Sequence, residues 1–256
     1  MSAPVDRSEL LALALKAAHT AGELLSQRPD NFELSTKSVA IDFATQMDKA
    51  SEKAIVDLIL AARPNDGIVA EEGSARESTS GITWVIDPLD GTVNYFYGMP
   101  GWNVSIAAQD EHGSVVGVVY APTINSLWHA VRDGGAFLND KAIRCNESVP
   151  LNRALLGTGF QYDIKDRPEH IAKVASLLMT IRDIRRNGAA AVDLCYVAMG
   201  ALDGYFELGL KPWDLAAGSL IATEAGAKVV ASGPGGAVTV AAGPALLLEL
   251  LATLAI

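Results

Sequence analysis

The sequence predicts a mixed α/β fold of the α+β class, built as a single domain over residues 1–256. Helical periodicity opens the chain, short β-branched runs separated by turns fill its middle, and helical and strand patterns alternate after residue 150. No internal repeat and no low-complexity linker divides the sequence. Because hydrophobic residues make up 50% of the 256 residues, one sizeable core can be buried.

The first half of the chain supplies two helices and most of the strands. Leucine and alanine spacing predicts a helix over 8–27, with Ser8 as its N-cap, and a second helix over 44–62 that ends before a proline. Apolar runs that end in turns predict strands over 68–70 and 84–86. The expected segments of the meander that follows are 104–108, 115–120, 127–130 and a hairpin over 134–139.

The second half alternates strands with helices. The expected strands are 154–157, 183–185, 203–208 and 228–231. The expected helices are 168–180, 189–199, 213–225 and a terminal helix over 245–256. Small residues that follow Trp213 would allow their helix to pack closely against its neighbours. The glycine-rich segment 232–236 is too short to separate two domains.

A strand that ends in two aspartates is the most informative local feature. An apolar run leads through Asp87 and Asp90 into Gly91 and Thr92, over a turn marked by Pro and Gly. Hard divalent cations prefer carboxylate and carbonyl oxygens, which Asp87, Asp90 and the intervening Leu89 carbonyl offer. Backbone N–H groups at Gly91 and Thr92, where a helix could begin, suit a phosphate. An acidic turn that only caps a helix is the alternative interpretation.

Further carboxylates stand at the ends of other predicted elements. Glu71 and Glu72 follow a short strand, while Asp48 and Asp214 lie at helix starts. Each of them alone is weak evidence, because an aspartate at a helix N-terminus is usually a cap or a partner of the helix dipole. Taken together, the chain offers four potential metal-ligating carboxylates: Glu71, Asp87, Asp90 and Asp214.

These motifs resemble those of the inositol monophosphatase family, part of the wider lithium-sensitive phosphatase superfamily. The match extends from about Asp42 to Val230, and its stretches are 45–48, 71–72, 87–95 and 213–218. The resemblance implies a layered α-β-α-β-α sandwich of the type shared with fructose-1,6-bisphosphatase, usually as a homodimer. It also implies a Mg²⁺-dependent phosphatase that Li⁺ inhibits at millimolar concentrations.

The same resemblance implies how the metal ions would be held. Glu71, Asp87 and the Leu89 carbonyl would hold one Mg²⁺ ion, and Asp87, Asp90 and Asp214 would hold a second. Two such ions can clamp the attacking and leaving oxygens of an in-line phosphoryl displacement, so the expected hydrolysis is two- or three-metal-assisted.

Asp48, Thr92 and Glu71 are the catalytic residues that the resemblance implies. Thr92 and Asp48 would activate the attacking water, because a threonine hydroxyl can accept from water and donate its own proton to a carboxylate. The alternatives are that Thr92 is only a capping hydroxyl and that Asp48 is an exposed acid at a helix start. Glu72 either supports the metal ligands from behind or faces solvent.

The resemblance also implies contacts with the substrate. The residues that would contact the phosphorylated substrate are Gly91, Thr92, Gly188, Ala189, Ala190 and Glu207. Many family members carry a hydroxyl residue at the place of Ala189, so one polar contact is missing here. Glu207 would accept hydrogen bonds from neighbouring hydroxyls of a polyol, or it is a surface acid on an edge strand. Arg185 and Arg186 are interpreted as structural or interfacial, since metal ions would already serve the phosphate.

Charge and hydropathy exclude several classes of function. A formal net charge of −10 leaves no basic stripe for a nucleic-acid partner. No apolar run is long enough to span a membrane, and the N-terminus lacks the pattern of a signal peptide, so a cytoplasmic protein is expected. Cys145 and Cys195 give neither a disulfide framework nor zinc spacing.

Three functions are compatible with these features. The first is a phosphatase for inositol 1-phosphate or a similar polyol or sugar phosphate. The second is a phosphatase of the same superfamily for histidinol phosphate, fructose 1,6-bisphosphate or a 3′-phosphoadenosine nucleotide. The third is an inactive scaffold or regulatory binding protein, which the intact set of carboxylates disfavours.

Overall fold

The computed structural model describes residues 6–37, 39, 41–232 and 238–256. Residues 1–5, most of the segment on which the signal-peptide expectation rests, and most of the glycine-rich segment lie outside the described residues. The helices are α1 Arg7–Ser26, α2 Gln46–Ala62, α3 Thr92–Tyr97, α4 Arg167–Leu178, α5 Ala190–Ala198, α6 Pro212–Glu224 and α7 Pro244–Leu254. No helix in the described part of the chain is long and apolar enough to cross a membrane.

The strands of the first half are β1 Leu34–Thr36, β2 Phe43–Thr45, β3 Gly67–Ala70, β4 Ala75–Arg76, β5 Thr83–Asp90, β6 Asn103–Asp110, β7 Gly113–Ala121, β8 Ser126–Val131, β9 Gly135–Leu138 and β10 Lys141–Ala142. Those of the second half are β11 Leu155–Thr158, β12 Asp183–Arg185, β13 Gly204–Leu208, β14 Lys228–Ser232 and β15 Val238–Ala242.

Two sheets and three helical layers form the predicted α-β-α-β-α sandwich. The eight-stranded sheet has the order β10-β9-β8-β7-β6-β5-β3-β4, and the five-stranded sheet has the order β12-β11-β13-β15-β14. Helices α1 and α2 cover the outer face of the large sheet, α5 and α6 fill the space between the sheets, and α4 and α7 cover the small sheet. Strands β1 and β2 form a separate ribbon.

Small residues bring the central layer close to its neighbours, as their pattern predicted. A Cβ at Gly218 of α6 would lie 2.9 Å from Leu194 Cβ of α5, and a Cβ at Gly117 of β7 would lie 2.9 Å from the Ala217 carbonyl oxygen. Contacts this short exclude a side chain at either glycine without movement of the backbone or of packed side chains. Helix α6 is therefore locked between α5 and the large sheet, and its N-terminus is fixed in position.

Several element boundaries differ from the predictions. The N-cap of α1 is Asp6 rather than Ser8, because the extended Asp6 places its carboxylate 2.8 Å from the Ser8 backbone nitrogen. The ribbon β1–β2 and the short strand β4 are too brief to show an alternating pattern, so they were missed. Strand β15 was also not predicted, although it lies between β13 and β14 and pairs with both.

Candidate functional site

A solvent-open cleft of about 120 Å³ lies where β3, β5 and β13 end and where α3, α5 and α6 begin. Clefts at the ends of strands and helices are common ligand sites, because unpaired backbone groups and side chains converge there. Its acidic lining residues are Glu71, Asp87, Asp90, Asp193, Glu207 and Asp214. The four carboxylates expected to bind metal are thus brought to one cavity.

A bulge in β5 aims both of its aspartates into the cleft. Residues three apart on a regular strand point to opposite faces. The register of β5 against β6 shifts between Asp87 and Asp90, so both side chains line the same cavity. Asp87 is 2% exposed and accepts a hydrogen bond of 3.0 Å from the backbone nitrogen of Leu89, whose turn it closes.

Asp90 is held in place by two separate elements. Its Oδ2 atom accepts from Asn103 Nδ2 of β6 and from the backbone nitrogen of Ala191, both at 2.9 Å. The second donor belongs to the first turn of α5, where the helix dipole favours a carboxylate. These contacts fix the rotamer of Asp90 and tie the large sheet to the central helices.

Asp214 caps helix α6 and also lines the cleft, so its interpretation as a cap is compatible with its interpretation as a metal ligand. Its Oδ2 atom accepts from the Lys211 backbone nitrogen at 2.6 Å, at the start of α6. This hydrogen bond leaves Oδ1 available to a ligand in the cavity.

In the part of the chain that the structure describes, Lys37 is the only cationic side chain in contact with Glu71 and Glu72. Its Nζ atom lies 2.7 Å from a Glu71 oxygen and 2.5 Å from a Glu72 oxygen. The Glu72 side chain is only 5% exposed, so it does not face solvent. Lys37 is at the end of β1, and its backbone nitrogen donates to the Asp42 carbonyl at 2.8 Å.

Burial and mutual repulsion make the carboxylate cluster hard to ionise without a cation. Burial raises the pKa of Asp87 well above its ordinary value, and the nearby charges of Glu71, Asp90 and Asp214 raise it further. Burial likewise raises the pKa of Asp90 and, more strongly, that of Asp214. Lys37 contacts only the Glu71 end of the cluster. The carboxylate oxygens of the cluster are ligands that hard divalent cations prefer. Among the described residues, no group of three or more acidic, histidine or cysteine side chains is arranged in this structure so that it could hold a metal ion.

Thr92 and Asp48 are in direct contact, and their role in activating water stays a prediction. Thr92 Oγ1 lies 2.9 Å from Asp48 Oδ1 and 3.1 Å from the Leu89 carbonyl oxygen. Asp48 is fully buried rather than exposed, and its Oδ2 atom accepts from the backbone and hydroxyl of Thr45 at 2.7 and 2.6 Å. Three donors therefore hold this carboxylate, which makes it a fixed acceptor for the threonine hydroxyl.

Two glycines allow the starts of α3 and α5 to meet at the cleft. Gly91 has a φ of 83°, and a Cβ on it would lie 3.3 Å from both Ala189 Cβ and the Gly188 carbonyl oxygen. Gly188 has a φ of 88°, which also favours glycine. The expected substrate-contacting backbone residues thus lie together, and Ala190 lines the same cavity.

Glu207 lies on β13, between β11 and β15, so the edge-strand alternative is wrong. Tyr205 donates its hydroxyl to Glu207 Oε2, and a Cβ on Gly159 would collide with the Glu207 carboxylate. Burial raises the pKa of Glu207 to about 7, although Tyr205 and the charge of Arg186 oppose that shift. Behind it, burial raises the pKa of Asp193 to about 8.

Other cleft residues were not predicted from the sequence. Arg186 lines the cavity, whereas Arg185 pairs with Asp183 on the surface. Asp193 accepts from Asn187 Nδ2 at 2.6 Å and is 1% exposed. An aspartate inside an otherwise apolar helix was the available signal. The remaining unpredicted lining residues are Thr158, Gly159, Phe160, Tyr162 and Leu210.

Comparison with known proteins agrees with the resemblance and extends it. The sequence model of the inositol monophosphatase family matches residues 6–253. The protein named Nus factor SuhB from Pasteurella multocida is 44% identical over 225 residues, which cover 86% of this chain and 84% of that protein. Inositol-1-monophosphatase SuhB from Mycobacterium tuberculosis is 43% identical over 231 residues, 85% of this chain and 80% of that protein.

The fold has close counterparts among solved structures. The extragenic suppressor protein suhB from Bartonella henselae superimposes with a TM-score of 0.90 at 32% sequence identity. That superposition covers 96% of this chain and 98% of the Bartonella chain. The layered sandwich is therefore shared along nearly the whole length of both proteins.

Proposed function

This chain belongs to the inositol monophosphatase family, and from that premise we propose that it is a Mg²⁺-dependent phosphomonoesterase. Its substrate would be inositol 1-phosphate or a similar polyol or sugar phosphate. The observation that carries the proposal is the convergence of four carboxylates on one cleft, beside a threonine–aspartate pair: Glu71, Asp87, Asp90 and Asp214, with Thr92 and Asp48.

The donor set fits divalent metal ions. Glu71, Asp87 and the Leu89 carbonyl would hold one Mg²⁺ ion, while Asp87, Asp90 and Asp214 would hold a second. When bound, Mg²⁺ would act as a Lewis acid toward the phosphate and toward water. The raised pKa values of Asp87 and Asp214 support this assignment, because a bound cation offsets the charge that burial disfavours.

The chain's own residues would orient the attacking water and accept its proton. Thr92 donates its hydroxyl proton to Asp48 Oδ1, which leaves the lone pairs of Thr92 Oγ1 free to accept from an attacking water. As the water attacks, its proton would pass to Thr92 Oγ1 and the threonine proton to Asp48. Thr45 holds the other oxygen of Asp48, so the direction of transfer is fixed.

The far side of the cleft would bind the alcohol part of the substrate. Gly91 and Thr92 would border the phosphate, and Gly188, Ala189 and Ala190 would border the alcohol, since all five residues line the cleft. Glu207 is the polar side chain best placed for hydroxyls, since Tyr205 occupies only one of its oxygens. This arrangement supports a substrate with several hydroxyl groups.

We also propose a cytoplasmic homodimer, on the strength of the family resemblance. Relatives that are named Nus factor support a role with a protein partner as a second candidate function. The retained carboxylates and the Thr92–Asp48 pair support catalysis rather than a purely structural role. Light scattering would test the dimer.

Phosphate release, with Mg²⁺ and with EDTA, tests the proposal. The panel is inositol 1-phosphate, glycerol 2-phosphate, histidinol phosphate, fructose 1,6-bisphosphate and 3′-phosphoadenosine 5′-phosphate. Mg²⁺-dependent preference for inositol 1-phosphate is expected. Preference for another compound would keep the metal site but change the substrate, and no release from any compound would favour the scaffold.

A further inference from the structure

Helix α2 presents a buried polar face to the residues that border the cleft. Asp48, Ser51 and Glu52 stand at positions i, i+3 and i+4, which lie on one side of a helix. Their exposures are 0%, 0% and 4%. Buried polar side chains are costly unless they are hydrogen-bonded, so this face must have defined partners.

Ser51 and Glu52 bind the two turns that carry metal ligands. Ser51 Oγ donates to the Pro88 carbonyl oxygen at 2.7 Å, within the turn between Asp87 and Asp90. Glu52 Oε2 accepts from the Glu72 backbone nitrogen at 2.7 Å, and Oε1 accepts from the Ser74 backbone nitrogen at 2.9 Å. One helix thus fixes both turns relative to each other.

A carboxylate is the side chain that this clamp requires. Each oxygen of Glu52 accepts one backbone N–H, and these charge-assisted bonds offset the cost of burial. A glutamine would accept only one of them, because its NH₂ group would face the other N–H donor. The turn that follows β3 would then lose one of its two anchors.

We infer that Glu52 is a positioning residue for the metal site, which sets the orientation of Glu71 through the backbone of Glu72 and Ser74. This inference rests on the proposed function, because it treats Glu71 as a metal ligand. Glu52 itself touches neither metal nor substrate. Nothing about its sequence position, within a helix rich in charged residues, distinguishes it from a solvated acid.

The test compares Glu52→Gln with a matched variant elsewhere. Glu224 clamps another turn in the same way, accepting from the backbone nitrogens of Asp133 and Gly135 at 2.9 Å each. Both variants lose one of two N–H contacts, but Glu224 lies away from the cleft. Calorimetric titration with Mg²⁺ alone and the Mg²⁺-induced rise in Tm are measured for each, along with KM and kcat for inositol 1-phosphate.

The expected result is a Mg²⁺ Kd raised about 10-fold or more in Glu52→Gln, with wild-type affinity in Glu224→Gln. At saturating Mg²⁺, the KM of Glu52→Gln for substrate stays at the wild-type value. Equal Mg²⁺ affinity in all three proteins would overturn the inference, as would equal losses in both variants. If Glu52→Gln does not fold, Glu52→Asp is judged by the same criterion. Wild-type protein that binds no Mg²⁺ would overturn the metal assignment itself.

Discussion

Thr92 Oγ1 lies 2.9 Å from Asp48 Oδ1, although the two residues are 44 positions apart and lie in the first turns of different helices. Asp48 also closes the capping box of α2 with Thr45, so one carboxylate both stabilises a helix and receives the threonine hydroxyl. The stability of α2 and the proposed activation of water thus depend on the same buried group.

Replacing Thr92 should affect the proposed activation of water but leave the capping box between Asp48 and Thr45 in place. Thr92→Val keeps the shape of the side chain but removes the hydroxyl, and kcat should fall about 100-fold, as for loss of a general-base contact. Thr92→Ser should retain most of the activity, because it keeps the donor to Asp48. Initial rates of phosphate release at saturating Mg²⁺ and substrate provide the measurement. A Thr92→Val enzyme with wild-type kcat would remove Thr92 from the mechanism.

Neutralising a carboxylate of the cleft should lower turnover by orders of magnitude without unfolding the protein. Asp90→Asn and Asp214→Asn should each lower kcat/KM by about 100-fold or more, since even indirect metal partners are typically worth 10–100-fold. The control is Asp66→Asn, which alters a buried aspartate that accepts from Ser80 and Trp84 far from the cleft. The control should lower Tm but retain kcat/KM. Retained activity in either cleft variant would contradict the two-metal assignment.

The sequence predicts the part of the candidate site whose residues are close together in the chain. Asp87 and Asp90 are among the last residues of β5 and Thr92 begins the helix that follows, so their closeness could be inferred from the sequence. The bulge that turns both aspartates to one side could not be predicted, because it depends on the pairing of β5 with β6. Layering was likewise inferred from resemblance, since periodicity carries no information on which sheet a helix covers.

Buried polar residues were the main failure of prediction. Ser51 and Glu52 stand among charged residues of α2, where a solvated helix face has the same pattern. Their partners lie 37 and 20 or more positions away, so nothing local identifies them. Glu207 shows the same limit, because its place on an inner strand depends on β15, which was not predicted.

Glu207 should affect the binding of a polyol more than the chemistry. Glu207→Gln should raise KM for inositol 1-phosphate about 10-fold, which corresponds to one hydrogen bond to a charged group. Glycerol 2-phosphate offers fewer hydroxyls, so its KM should change less, and kcat should stay close to wild type for both. Steady-state kinetics on the two substrates check this prediction. Equal changes in KM for both would indicate a general distortion of the cleft instead.

Asp193 should make the metal-free protein less stable as pH rises. Burial raises its pKa from 3.8 to about 8, so between these values the folded state holds a proton that the unfolded chain has released. The unfolding free energy therefore falls as pH rises through this window, by at most about 1.4 kcal/mol per pH unit for one proton. Asp87, Asp90 and Asp214 shift in the same direction, so the wild-type slope contains several contributions.

The variant Asp193→Asn isolates the contribution of this one residue. Asparagine cannot titrate, yet its Oδ1 atom can still accept from Asn187 Nδ2, which lies 2.6 Å from the wild-type carboxylate. Urea unfolding in EDTA, between about pH 5 and pH 8, should give a shallower loss of stability for Asp193→Asn than for wild type. The two curves should diverge toward the alkaline end, because folding of the wild type must take up a proton at Asp193 that the unfolded chain has released. Parallel curves would mean that Asp193 is already ionised across this range and that its hydrogen bond with Asn187 offsets the cost of burial.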